Sequence, residues 1–208
     1  EEKKLTAYHE AGHTLVTMKT ENADPLHKVT IIPRGRAMGI THQLPIDERH
    51  NYSKSYIMAK LDVLLGGRAA EKLVFNELST GAGNDIEQAT KMARKMVTEW
   101  GMSEKLGPVR YAADAQNQYL GASGHLDTSV STTTAAMVEG ETTRLVREAL
   151  DKALLLLTAH ISSLEILMHR LCEEETVSGE EIKTILENEK TPNGKTLTPK
   201  VVSFTTGV

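Results

Sequence analysis

The sequence predicts a mainly α fold with a small β element after the first helix. Two observations carry that expectation. Apolar residues recur three and four positions apart through most of the chain, which gathers them on one side of a helix. One β-branched run, Lys28-Val29-Thr30-Ile31-Ile32, is followed by Pro33 and Gly35 and reads as a strand. The chain has 208 residues, enough for one large domain or two small ones.

The elements follow in order. Residues 4–19 carry Leu5, His9, Gly12, His13 and Val16 at helical spacing, and the polar stretch Glu21 to Pro25 reads as a turn. Lys28 to Ile32 is the first strand. Met38 to Leu44, closed by Pro45, is a second short strand, and the two suit a hairpin or sheet edge. From Ser53 to Phe75 the helical period returns with Ile57, Leu61, Leu64 and Leu65, and Gly66-Gly67 marks a break or a close helix crossing. After Ser79-Thr80-Gly81 a further helix runs to about Trp100, with Ile86, Ala89, Ala93, Met96 and Val97 on its apolar side, and Gly101 ends it. Residues 101–134 are rich in Gly, Ser, Thr, Asn and Asp and read as irregular loop. One long helical region is expected from Ala135 to Glu174. Ser178-Gly179-Glu180-Glu181 matches a capping box that starts a last short helix. The stretch from Asn188, with Pro192, Gly194 and Pro199, reads as a loose tail.

Composition narrows the function classes. Adding the 15 glycines to the 39% hydrophobic fraction gives an apolar share of about 46%, the ordinary globular value. The net charge is −4. Wholesale disorder, collagen-like repeats and a basic nucleic-acid-binding domain are poor fits. Cys172 is the single cysteine, which excludes an internal disulfide and favours a reducing compartment. The longest apolar run, Ala153 to Leu157, is far short of the roughly 20 residues that span a bilayer. The chain is therefore expected to be soluble. With a motif already at residue 9, it is also expected to be a fragment of something longer.

That motif is His9-Glu10-Ala11-Gly12-His13. On a helix, His9 and His13 are one turn apart on the same face, and their imidazoles can hold one Zn²⁺ at about 2.0–2.1 Å. Glu10 lies about 100° around the helix, so it need not ligate. It is placed to take a proton from water and return it to a leaving amine, as peptide hydrolysis requires. Gly12 costs about 1 kcal/mol relative to Ala inside a helix, which points to close approach of another backbone or a ligand. A catalytic zinc needs a third protein ligand, and the metzincin spacing is excluded because residues 16 and 19 are Val16 and Lys19. The carboxylate candidates are Glu21, Asp24, Glu71, Asp85 and Glu87. Asp85 follows a run of small residues at a helix start, where Asn84 with Glu87 already offers a cap. It is thus free for another task.

Five stretches in order resemble the peptidase domain of the FtsH family of membrane-anchored AAA+ zinc metalloproteases. They are residues 9–13, Lys28 to Gly35, Leu64-Leu65-Gly66-Gly67-Arg68-Ala69-Ala70-Glu71, Ser79 to Asp85, and Met96 to Ser103. The resemblance is close over 1–112 and looser to about Leu186. It implies zinc bound by His9, His13 and Asp85, with Glu10 as general base. It also implies that Glu71 lies near the metal, either orienting a histidine or rivalling Asp85 as ligand. It further implies a helical zinc-peptidase domain that cleaves flexible peptides without ATP. The full-length protein would be a homohexamer anchored in a bacterial inner membrane, with its protease on the cytoplasmic side, or in an organelle membrane. There an ATPase module and a transmembrane anchor of the same chain would serve the degradation of membrane and misfolded proteins. No Gly-x-x-x-x-Gly-Lys-Ser/Thr phosphate loop occurs in these residues, so ATP belongs to a module outside them.

On this reading, residues 1–112 form the peptidase core with the motif helix and the third-ligand helix. Residues 113–187 add a loop and the C-terminal helices of the same domain, and 188–208 form a flexible tail. Met38, Gly39, Ile40 and Thr41, on the second strand, are the candidate strand for holding an extended substrate through main-chain hydrogen bonds. His27, His42, His50, His125, His160 and His169 read as surface or structural, Cys172 as an inert buried thiol, and Arg68 as an ion-pair partner at a subunit contact.

Overall fold

A computed structural model describes residues 1–33, 39–43, 51–111 and 130–188. In chain order these form α1 (Glu2–Lys19), β1 (Leu26–Thr30), β2 (Ile40–Gln43), α2 (Lys54–Leu64), α3 (Gly66–Phe75), α4 (Gly83–Thr98), α5 (Thr132–Ala159), α6 (Ile161–Glu174), β3 (Thr176–Ser178) and α7 (Gly179–Asn188). The mainly α expectation holds, with one small antiparallel sheet.

α1 is not a surface helix with one apolar stripe. Ala7, Tyr8 and every residue from Glu10 to Thr17 are buried, because α1 packs on α3 and α6 and also touches the sheet. A helix enclosed on most sides hides polar groups as well as apolar ones, which is how Glu10 and His13 come to be buried. The crossing with α3 depends on two glycines. A Cβ on Gly12 would sit 2.4 Å from the Gly66 carbonyl oxygen and 2.7 Å from the Ala70 Cβ. Gly12 is thus explained by another backbone, as its helix cost suggests.

Expected boundaries moved in three places, and one expected cap is absent. The helix read over 53–75 is two helices meeting at Leu65, so the Gly-Gly pair marks both a break and a crossing. α4 starts at Gly83 with no side-chain cap, so Asn84 does not cap it. The long helix starts earlier, at Thr132, where Ser131 Oγ accepts from the Thr134 N–H. It then breaks at His160, which closes α5 and opens α6. The capping box is as read: the Ser178 N–H and Oγ both donate to Glu181 Oε2, and the Glu181 N–H donates to Ser178 Oγ.

The sheet has the order β2-β1-β3, all antiparallel. β1 pairs with β2 through Val29↔Thr41 and with β3 through Val29↔Val177. β3 is absent from the sequence reading. Three residues beside a capping box carry no periodic signal, and their strand character comes from pairing with β1. β2 and β3 are the edge strands of the sheet among the described residues. Of the strand expected over 38–44, Met38 and Leu44 lie outside the described residues, as do His50 and His125.

Two apolar clusters hold the helices. One gathers Leu15, Val16, Val29, Leu157, Leu164, Leu167, Leu171 and Ile182 around α1, α6 and the sheet. The other gathers Leu61, Leu65, Met96, Val97, Val138 and Leu145 from α2, α4 and the first half of α5. α5 runs through both. The irregular segment after α4 contributes Leu106 to the second cluster, so its first residues are packed. Cys172 is half-buried, its Sγ 3.8 Å from Met168 Sδ. Among the described residues no helix is long and apolar enough to cross a membrane.

Candidate metal centre

α1 carries His9 and His13 toward the N-terminal turn of α4. His9 Nε2 and His13 Nε2 lie 3.0 Å apart. Asp85 Oδ2, from the first turn of α4, is 3.2 Å from His9 Nε2 and 3.3 Å from His13 Nε2. A tetrahedral ion with bonds of about 2.0–2.1 Å needs ligand atoms about 3.3 Å apart. The three atoms meet that spacing. Among the described residues, this trio is the group of His, Cys, Asp and Glu side chains whose ligand atoms converge within 4.8 Å.

The outer nitrogens set the tautomers. His13 Nδ1 lies 2.7 Å from the Val63 carbonyl oxygen, which can only accept, so Nδ1 carries the proton and a neutral ring leaves its Nε2 lone pair bare. His9 Nδ1 donates to Glu71 Oε1 at 2.8 Å with the same result. Two nitrogen lone pairs and a carboxylate oxygen then face one another. That arrangement repels itself unless a proton or a cation sits between them. The donor set, two imidazoles and one carboxylate with each outer nitrogen held, is the kind that suits zinc.

Glu71 is not part of the converging trio. It is 2% exposed, and its other oxygen, Oε2, accepts from the Ser79 N–H at 3.3 Å and from Ser79 Oγ at 3.0 Å. Arg68 Nη1 stands 3.7 Å from that oxygen and donates to the Ser79 carbonyl at 3.2 Å. Arg68 therefore pairs within its own chain. Gly67 gives the His9 ring its place, since a Cβ there would lie 2.5–2.6 Å from three ring atoms.

The electrostatics match the geometry. Burial pushes the His9 imidazole down, but hydrogen bonds to Asp85 and Glu71 and the charges of Glu10 and Asp85 outweigh it and raise it to about 9. Burial pushes Asp85 up, yet hydrogen bonds and charge from His13 and His9 hold it well below the usual carboxylate range. For Glu71, burial acts upward, while His9 and the two Ser79 hydrogen bonds bring it below its ordinary value. The pocket is a negative field focused on the imidazoles.

Glu10 is 5% exposed and projects toward β2, where Thr41 Oγ1 donates to its Oε2 at 2.6 Å. Gly39 and Thr41 face this side, with Ile40 between them on the strand, and Met38 is outside the described residues. The other carboxylate candidates stand elsewhere. Asp24 accepts from the Tyr56 hydroxyl, Glu87 pairs with Lys91, and Glu21 is exposed. Sequence reasoning missed Ser79 as the clamp on Glu71 and Thr41 as the partner of Glu10. The small-residue run at 79–83 was the available signal for the first, and strand register hid the second.

The chain is similar to known proteins that carry the name zinc metalloprotease. The chain is 45% identical over 203 residues to the ATP-dependent zinc metalloprotease FtsH 3 of Symbiobacterium thermophilum, covering 97% of this chain and 32% of that protein. It is 47% identical over 196 residues to FtsH 4 of Sorangium cellulosum, covering 92% of this chain and 30% of that protein. It is 48% identical over 186 residues to FtsH of Rubrobacter xylanophilus, covering 89% and 29%. The chain thus spans about a third of the length of the curated relatives it matches. The sequence pattern of peptidase family M41 matches residues 1–185, and with that match, over most of its length, the chain belongs to peptidase family M41.

Proposed function

We propose that this chain is the protease domain of an ATP-dependent zinc metalloprotease and hydrolyses peptide bonds of flexible substrates without ATP. The observation that carries the reading is the meeting of His9 Nε2, His13 Nε2 and Asp85 Oδ2 at ligand spacing, with Glu10 close enough for its charge to act on His9. His9, His13 and Asp85 would hold the ion, and Glu71 would orient His9. When bound, zinc supplies Lewis acidity, drawing electron density from a carbonyl and acidifying water. Glu10 takes a proton from the attacking water as the oxygen joins the carbonyl carbon. It returns that proton to the amide nitrogen as the C–N bond breaks. Burial of Glu10 keeps bulk water from competing for the proton. Gly39, Ile40 and Thr41 lie at the start of β2, whose outer side meets no other strand among the described residues, and are suited to pair with an extended peptide.

The relatives' names and the family resemblance support a wider reading for the full-length protein. It would join this domain to an ATPase module and a transmembrane anchor, assemble as a homohexamer, and degrade membrane and misfolded proteins. The anchor would lie in a bacterial inner membrane, with the protease on the cytoplasmic side, or in an organelle membrane. The decisive experiment pairs metal analysis with casein cleavage. Parent and Glu10→Gln should each hold about one zinc per chain, and the variant should lose cleavage by roughly 10²–10⁴-fold. A Gln variant that cleaves as fast as the parent overturns the mechanism.

A further inference from the structure

β2 meets the motif helix at Thr17, which accepts from Gln43 Nε2 at 2.8 Å, and at the Glu10 carboxylate, both oxygens of which are accounted for. Thr41 Oγ1 donates to Glu10 Oε2 at 2.6 Å. Two positions earlier, on the same side of the extended chain, a Cβ on Gly39 would lie 2.6 Å from Glu10 Oε1 and Cγ and 2.9 Å from Cδ. One oxygen is tethered by a hydrogen bond to a charged acceptor, and the other occupies space that glycine leaves open. The tether is anchored: Thr41 sits opposite Val29 on the central strand, and Val29 is fully buried. The same hydroxyl stands 3.5 Å from the Glu10 carbonyl oxygen, too long to be its main bond.

We propose that Thr41 is a positioning residue for Glu10. It holds Oε2, which leaves Oε1 as the oxygen that takes the proton, and Gly39 provides the clearance Oε1 needs. The proposal rests on the reading of Glu10 as general base. An untethered glutamate samples several rotamers, whereas proton abstraction needs a heavy-atom reach of about 2.6–3.2 Å. A hydrogen bond to an ionised acceptor is roughly twice as strong as a neutral one, so it can select one rotamer. Because Thr41 belongs to the strand that would receive the peptide, the aim of the base and the seating of the substrate depend on one stretch of backbone.

The test compares zinc-loaded parent, Thr41→Val, Thr41→Ser and Gly39→Ala on a flexible fluorogenic peptide. Thr41→Val should lower kcat by about 10- to 100-fold, with KM, zinc content and unfolding midpoint close to the parent's. Thr41→Ser, which keeps the hydroxyl, should recover most of kcat. Gly39→Ala should also lower kcat, since the added methyl displaces the end of a flexible side chain rather than the backbone. A Thr41→Val protein with the parent's kcat, or with a defect confined to KM, overturns the proposal. A parent that cleaves nothing defeats the general-base reading instead. Crystal structures of parent and Thr41→Val then decide the contact by themselves. The Glu10 carboxylate should turn only in the variant, and a parent structure with Thr41 Oγ1 out of hydrogen-bond reach of Glu10 overturns it.

Discussion

In the candidate trio the outer nitrogen of each histidine is held, His13 by the Val63 carbonyl and His9 by Glu71. Glu71 fixes the His9 ring and is in turn gripped by Ser79. Glu71→Gln should therefore lower zinc affinity by about 10- to 100-fold while leaving the three facing atoms in place. Asp85→Ala should abolish stoichiometric binding. Competition against a chelator of known affinity reads both, and the reverse order would make Glu71 the ligand. The histidines were legible in the sequence because one helical turn has a fixed geometry. Asp85 was legible only as one of several carboxylates, because nothing local says that residue 85 returns to residue 9. Thr41 was legible as part of a strand but not as the partner of Glu10, since its side is set by pairing with Val29 across the sheet.

Among the elements, the α1–α3 crossing has the least room for change. Gly12→Ala would drive a methyl against the Gly66 carbonyl, and backbone cannot yield as a side-chain tip does. A loss of about 1–3 kcal/mol is expected from such overpacking, read by urea unfolding, and a neutral result would contradict the tight crossing. α2 and α5 meet through a different contact, Asp62 with Lys152. Burial pushes the Asp62 carboxyl above its ordinary 3.8 in spite of Lys152, and its Oδ1 has no hydrogen-bond partner among the described residues. A raised value means the folded protein holds this proton more tightly than the unfolded chain. The contribution is present in full below pH 3.8 and is lost as pH rises through the folded value. Asp62→Asn should gain stability relative to the parent on going from pH 4 to pH 7, and an identical difference at both would contradict this. The helices themselves were legible because their apolar spacing is regular. The break at His160 was not, because no Gly or Pro marks it and the apolar pattern continues through Ile161, Leu164 and Leu167.

Across the whole molecule, the candidate metal centre ties α1 to α4 over 76 residues of chain. An ion that binds the folded state and not the unfolded one adds stability by mass action, about 2.7 kcal/mol at a hundredfold excess over its dissociation constant. Thermal unfolding with added zinc and with chelator should differ accordingly, and equal midpoints would show that the trio holds no ion. The overall α character was legible from periodicity. The closure of the sheet was not, because β1 finds its second neighbour in Thr176–Ser178, near the far end of the described chain. That closure sets an order of events during synthesis. The side chains of the candidate trio are all translated by residue 85, whereas the strand that gives β1 its second neighbour comes only at Thr176–Ser178. A chain truncated after Glu175 should thus show faster amide exchange at Val29 than the parent, because β1 then lacks its second neighbour, and equal rates would show that β3 adds no protection.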